Sequence, residues 1–219
     1  ARVDGARHYE LLAAQDEGPR GLARLPRPDP GDMFFDMEGD PLEDGGLEYL
    51  FGLYVIDDGA ERFVPFWAHD RRQEKQAFEA FMDFVAERLR RHPDAHIYHY
   101  APYEATALKK LMSLHGTREA EVDHLLRAGK LVDLYRVVRE GLRISEPSYS
   151  IKYVERFYLP RRAGEVTNAG ASIVYYERWK ATDEPRLLQD IRAVIGEMTE
   201  AERRLLPYRA ALADDLPAD

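Results

Sequence analysis

The sequence predicts an α/β fold, a mixed β-sheet flanked by helices, and three observations lead there. Residues 33–68 fall into three apolar and aromatic stretches separated by turn signals, starting with strict period-two alternation. From Asp70 the apolar spacing lengthens to three and four. One more strand, at residues 95–100, precedes a helix-rich second half. A three-strand antiparallel meander followed by a crossover helix into a further strand makes a mixed sheet with helices packed on it.

Residues 1–31 carry Gly18-Pro19-Arg20-Gly21 and Pro26-Arg27-Pro28-Asp29-Pro30-Gly31 without sustained periodicity, and read as a linker or an edge wrapping onto the domain. In Met33-Phe34-Phe35-Asp36-Met37-Glu38, Met33, Phe35 and Met37 share one strand face, and Phe34, Asp36 and Glu38 the other. After a turn rich in Gly and Pro, residues 47–56 read as a buried strand, and Asp57-Asp58-Gly59 turns into a third strand at residues 62–68. Ala77, Phe78, Phe81, Met82, Val85 and Leu89 mark an amphipathic helix, with Asp70 as its cap and Pro93 beyond its end. Pro102 opens the next helix, and residues 117–128 form another, closed by Gly129. From Tyr135 helical spacing dominates. Thr199-Glu200-Ala201-Glu202 reads as a capping box, so one helix ends near Gly196 and another starts at Glu200. The resulting layout is an edge segment over 1–31, a domain over 32–198 and a helical extension over 199–219.

Composition narrows the function classes. Zero Cys among 219 residues removes disulfide frameworks, thiolate metal sites and Cys nucleophiles, and suits the reducing cytoplasm. No apolar run reaches the roughly 20 residues of a membrane span. A net charge of −9 argues against nucleic-acid binding through bulk charge alone; such binding needs a local basic track or bound cations. The absent initiator Met and the Pro-rich start suit a segment of a longer polypeptide.

The sharpest chemical signal is Asp36-Met37-Glu38. Two carboxylates on one face of a central strand repel each other in a semi-buried setting, and a divalent cation with hard oxygen ligands relieves them. Two Mg²⁺ or Mn²⁺ ions held this way can activate water and stabilise the leaving oxygen of a phosphodiester. The plain alternative is an exposed strand end, since Asp-x-Glu is a common tripeptide. In His99-Tyr100-Ala101-Pro102-Tyr103-Glu104 a strand runs into a Pro-started helix, which points Glu104 either back over the sheet or only toward the helix dipole. Asp133 is a cap for the helix that follows, or an acid behind the cluster. Asp-x-Asp phosphoryl chemistry fails because Glu38 holds the second position, and neither a Gly-rich phosphate loop nor a Gly-x-Ser-x-Gly elbow is present.

Four blocks carry a family resemblance: Phe34-Phe35-Asp36-Met37-Glu38-Gly39-Asp40-Pro41, Leu47-Glu48-Tyr49-Leu50-Phe51-Gly52, Tyr98-His99-Tyr100-Ala101-Pro102-Tyr103-Glu104 and Val132-Asp133-Leu134-Tyr135-Arg136-Val137-Val138. Together with Tyr149-Ser150-Ile151-Lys152-Tyr153-Val154-Glu155 and Gly170-Ala171-Ser172-Ile173-Val174, they resemble the YprB-type ribonuclease H-like domain, in the version found in large RecB-like nuclease proteins. The resemblance covers residues 32–193. It implies a DEDD-type exonuclease core whose first motif maps onto Asp36 and Glu38, and whose second maps onto Glu104, where the wider group has Asp. The third motif's Asp falls on Met198; Asp190 and Glu197 are the nearest substitutes, neither at the family's spacing. The resemblance also implies neighbouring RecB-like nuclease and helicase domains in one polypeptide.

Lys152, Arg156, Arg161 and Arg162, interleaved with Tyr149, Tyr153, Phe157 and Tyr158, form the best basic and aromatic track for phosphates and unpaired bases, or else an amphipathic helix with solvated cations. His99 stands beside the second motif, where it can orient a water or a phosphate. Two hypotheses follow. One is a two-metal nuclease acting 3′→5′ on single-stranded DNA or RNA; the other is a non-catalytic nucleic-acid-binding or scaffolding module with an incomplete site.

Overall fold

The computed structural model describes residues 7–12, 19–159 and 169–205. Its centre is a five-stranded sheet built from β2 (Met33–Asp40), β3 (Leu47–Asp57), β4 (Ala60–Trp67), β5 (Ile97–His99) and β6 (Leu131–Asp133), in the order β4-β3-β2-β5-β6. The first three strands form the antiparallel meander, and β5 and β6 add parallel to β2. The predicted mixed sheet flanked by helices is therefore the observed one. A short strand β1 (Tyr9–Leu11) pairs antiparallel with β7 (Leu142–Ile144) in a separate two-stranded ribbon.

Alternation along β2 divides the core. Met33, Phe35 and Met37 face α1 (Arg71–Arg91), α2 (Tyr103–His115) and α3 (Glu119–Arg127), packing with Phe78, Phe81, Leu108 and Leu125. Phe34 points the other way, onto Tyr98 and onto Leu134 and Val137 of α4 (Leu134–Gly141). On that same side Tyr49 and Leu50 meet Tyr176 of α6 (Ala169–Thr182) and Ile191 and Ile195 of α7 (Pro185–Leu205). A four-residue helix α5 (Ile151–Val154) precedes them. Gly52 is required where α7 crosses the sheet, because a Cβ there would lie 2.6 Å from Ile195 Cγ2 and 2.9 Å from the Phe63 ring.

Local signals behave as their chemistry dictates. Asp70 caps α1 by accepting from the Gln73 amide, and Gly116 and Gly129 take the left-handed conformation after their helices. Arg88, on α1, is 1 % exposed and donates to the carbonyls of Gly31, Pro30 and Ile56 and to Asp57, which pins the start of β2 to the end of β3.

Helices dominate beyond Tyr135 as expected, interrupted among the described residues by β7 at residues 142–144, a three-residue piece too short to carry a period of its own. One expectation fails: the capping box at Thr199 does not start a helix. Instead α7 runs unbroken to Leu205, and the buried Thr199 hydroxyl donates back to the carbonyls of Ile195 and Gly196.

Candidate active site

Asp36 and Glu38 leave the middle strand of the sheet on its α6/α7 side. Asp36 follows Phe34 of one apolar cluster, and Glu38 pairs across the ladder with Leu50 of the other. Both carboxylates are buried.

Glu104 joins them because β5 stops early. After His99 the chain turns through Ala101, whose φ of 77° is left-handed and costs a non-glycine residue on the order of 1 kcal/mol. Two hydrogen bonds hold that turn: the Ala101 amide donates to Asp133 Oδ1 (3.1 Å), and the Ala101 carbonyl accepts from His99 Nδ1 (2.7 Å). Asp133 Oδ1 also accepts from the Arg136 amide and so caps α4. The capping role is real, and the same atom also holds the turn at Ala101. The turn delivers Glu104 in the first turn of α2, buried against Asp36, with Glu104 Oε2 3.4 Å from His99 Nδ1.

The electrostatics record the crowding. Burial raises the Asp36 pKa well above the ordinary carboxylate value, and the negative charges of Glu104 and Glu38 raise it further. Burial lifts Glu38 to about 7, although the Ser172 hydroxyl donates to its Oε2 at 2.6 Å and the Lys152 charge opposes the shift. Burial alone would lower His99; the nearby Glu104 carboxylate, 3.4 Å from Nδ1, and the Ala101 carbonyl outweigh that and raise it. Among the described residues, Asp36 Oδ2 and Glu104 Oε2 are buried without any hydrogen-bond donor. Two buried carboxylate oxygens without donors are the kind of group that a hard cation such as Mg²⁺ or Mn²⁺ neutralises. Among the same residues, however, no group of three or more His, Asp or Glu side chains stands arranged as a metal cage.

These acids line a cleft of about 530 Å³ at the end of β2 and the start of α2, together with a residue that pattern reading overlooked. Glu48 is buried, accepts a 2.8 Å hydrogen bond from the Tyr103 hydroxyl, and has its pKa raised by burial. A bulge between Glu38 and Gly39 sets Glu48 opposite Gly39 rather than Asp40. Gly39 has to be bare, since a Cβ there would lie 2.5 Å from Glu48 Oε2 and 2.7 Å from the Tyr103 oxygen. The available signal was that Glu48 is the one charged residue in the apolar run 47–56.

The remaining candidates lie apart from this cluster or behind it. Ile191, Val194 and Ile195 face the sheet from α7, which turns Asp190 and Glu197 roughly 100° or more away. Asp190 stands 3.9 Å from Arg186, and Glu197 is exposed. Lys152 lies near enough to Glu38 to oppose its charge. The Tyr149 hydroxyl is spent on the Leu142 carbonyl (3.0 Å), and Arg156 sits over the Tyr153 ring and 3.6 Å from Glu146. Arg161 and Arg162 lie outside the described residues. No helix among the described residues is long and apolar enough to cross a membrane.

A search of curated proteins gives no significant match. A family model, RNase_H_2 of the RNase_H superfamily, matches residues 33–193. That span begins at the first residue of β2 and contains the whole five-stranded sheet with Asp36, Glu38, Glu48, Glu104 and Asp133. By sequence match and by fold, the chain belongs to the RNase_H_2 family of the RNase H superfamily.

Proposed function

We propose that this chain is a metal-dependent nuclease of the YprB type that hydrolyses phosphodiester bonds of single-stranded nucleic acid in the 3′→5′ direction. The observation that supports it most is the pair of buried, donorless oxygens, Asp36 Oδ2 and Glu104 Oε2, beside Glu38 in an open cleft. Asp36, Glu38 and Glu104 are the residues that would hold two Mg²⁺ or Mn²⁺ ions. Bound there, such ions lower the pKa of an attacking water and offset the charge of the departing oxygen.

The chain's own groups prepare the site. Ser172 orients the Glu38 carboxylate. His99 and Asp133 hold the strained turn that carries Glu104, and act as positioning residues. Tyr103 fixes Glu48 at the cleft wall. Lys152 is a phosphate anchor facing Glu38, with Tyr149, Arg156, Arg161 and Arg162 extending that track. In this reading residues 32–198 are the nuclease domain, flanked by 1–31 and 199–219, working in the cytoplasm beside RecB-like nuclease and helicase domains of one polypeptide.

A second reading is a nucleic-acid-binding module without activity. It is favoured by the outward Asp190 and Glu197, which leave the described part of α7 without an acid at the cluster. One assay separates the two: 5′-labelled single-stranded DNA and RNA incubated with Mn²⁺ and either the native chain or Asp36→Asn. Degradation that the substitution abolishes supports the nuclease. Chelator-insensitive binding without degradation rejects it in favour of the module.

A further inference from the structure

A second cleft, of about 770 Å³, opens on the far side of the Ala101–Glu104 turn and is lined by Arg20, Arg136, Arg139 and Arg143, with Tyr135, Pro102, Asp133 and Glu140. Four arginines in one cleft stand out on a chain of net charge −9. We infer that this cleft is the binding track that leads single-stranded nucleic acid to the acidic cluster; the inference rests on the nuclease-type reading above and names where its polymer substrate lies.

The charge inside the cleft is arranged to remain positive. Asp133 is committed to the Ala101 and Arg136 amides. Glu140 is held down to about pKa 2 by hydrogen bonds from Arg24 and Arg136, so it stays ionised and paired. Arg143 pairs with exposed Glu10, at 2.8 Å with both side chains more than 60 % exposed, an ion pair worth little and readily exchanged for a phosphate. Arg139 donates a 3.0 Å hydrogen bond to the Tyr135 hydroxyl, with its guanidinium 5.9 Å from the ring centre.

Chemistry selects the occupant. Guanidinium forks match phosphate oxygens, and a half-buried tyrosine, Tyr135, braced edge-on by Tyr100 at 5.8 Å gives an unpaired base a platform. An acidic peptide would use the charges but not the ring. The wall at Pro102 is the residue before α2, so the track ends where Tyr103 and Glu104 enter the acidic cleft.

The test uses the full chain and a fluorescein-labelled single strand of about 12 nucleotides, with anisotropy read in EDTA so that nothing is cleaved. Arg139→Glu/Arg143→Glu should weaken binding at least about tenfold, and Arg139→Ala/Arg143→Ala less. The slope of log affinity against log salt should fall by roughly 0.7 for each phosphate that the variant no longer neutralises. Circular dichroism checks that both variants fold. Mn²⁺-dependent hydrolysis of bis(p-nitrophenyl) phosphate, too small to use the track, should be unchanged. Native oligonucleotide affinity in both folded variants overturns the track, as does polyglutamate competing as well as the oligonucleotide. Absence of hydrolysis by the native chain counts against the nuclease reading alone, because binding is measured without metal.

Discussion

The Tyr103 hydroxyl donates a 2.8 Å hydrogen bond to the buried Glu48 carboxylate, joining the start of α2 to the start of β3 across the mouth of the acidic cleft. Because the next residue is Glu104, this bond also sets the first turn of the helix that carries that buried carboxylate. Tyr103→Phe removes the donor and leaves a buried carboxylate oxygen without it. A loss of about 1–2 kcal/mol in denaturant unfolding is expected. Phosphodiester hydrolysis should fall about tenfold, mainly in kcat, with oligonucleotide binding in EDTA unchanged.

Asp36→Asn should have opposite effects on stability and activity. Burial and the charge of Glu104 already disfavour the Asp36 anion, so a neutral isostere relieves repulsion. The metal-free variant is expected to melt a few degrees higher than the native chain, while Mn²⁺ raises the melting temperature of the native chain only. A variant that melts lower and still responds to Mn²⁺ contradicts this account of the cluster.

Stability toward acid should depend on Asp57. Hydrogen bonds from Arg88 and Arg62 hold its pKa below the ordinary carboxylate value. A depressed folded-state pKa gives stability that is complete above the unfolded value of about 3.9 and lost as pH falls through the folded value. Asp57→Asn is therefore expected to be less stable than the native chain at pH 6, by about 1 kcal/mol given the partial exposure of the pair. The difference should shrink as pH falls through the folded-state value, in unfolding monitored by circular dichroism.

Gly52→Ala tests how α7 seats on the sheet. Its Cβ would press on Ile195 and Phe63 at 2.6 and 2.9 Å, both in packed surroundings. Overpacking of this kind costs about 1–3 kcal/mol. Hydrogen exchange should report the loosening in α7 first, with α1 on the opposite face protected as before.

Strands β2 to β5, the α1 flank and the shared face of Asp36 and Glu38 were legible in the sequence because their signals are local, whereas the three-residue β6 was not. Period two along β2 sorts Met33, Phe35 and Met37 from Phe34, Asp36 and Glu38 whatever the rest of the chain does, and Asp70 caps α1 from three residues away. The junction at Pro102 was readable for the same reason.

Tertiary structure alone decided the remainder. Glu48 enters the cleft because a bulge shifts the β2–β3 register by one residue, and neither strand's pattern announces a bulge. Asp190 and Glu197 turn outward because Ile191, Val194 and Ile195 claim the sheet-facing side of α7, a choice made by packing against Tyr49, Leu50 and Gly52. Thr199 reads as a helix start, yet burial turns its hydroxyl onto the preceding carbonyls and the helix continues. The four cleft arginines come from residues 20, 136, 139 and 143, and only the fold of α4 against the early segment brings them together. Local backbone chemistry set which residues were available in this protein; side-chain packing between distant segments set which of them meet.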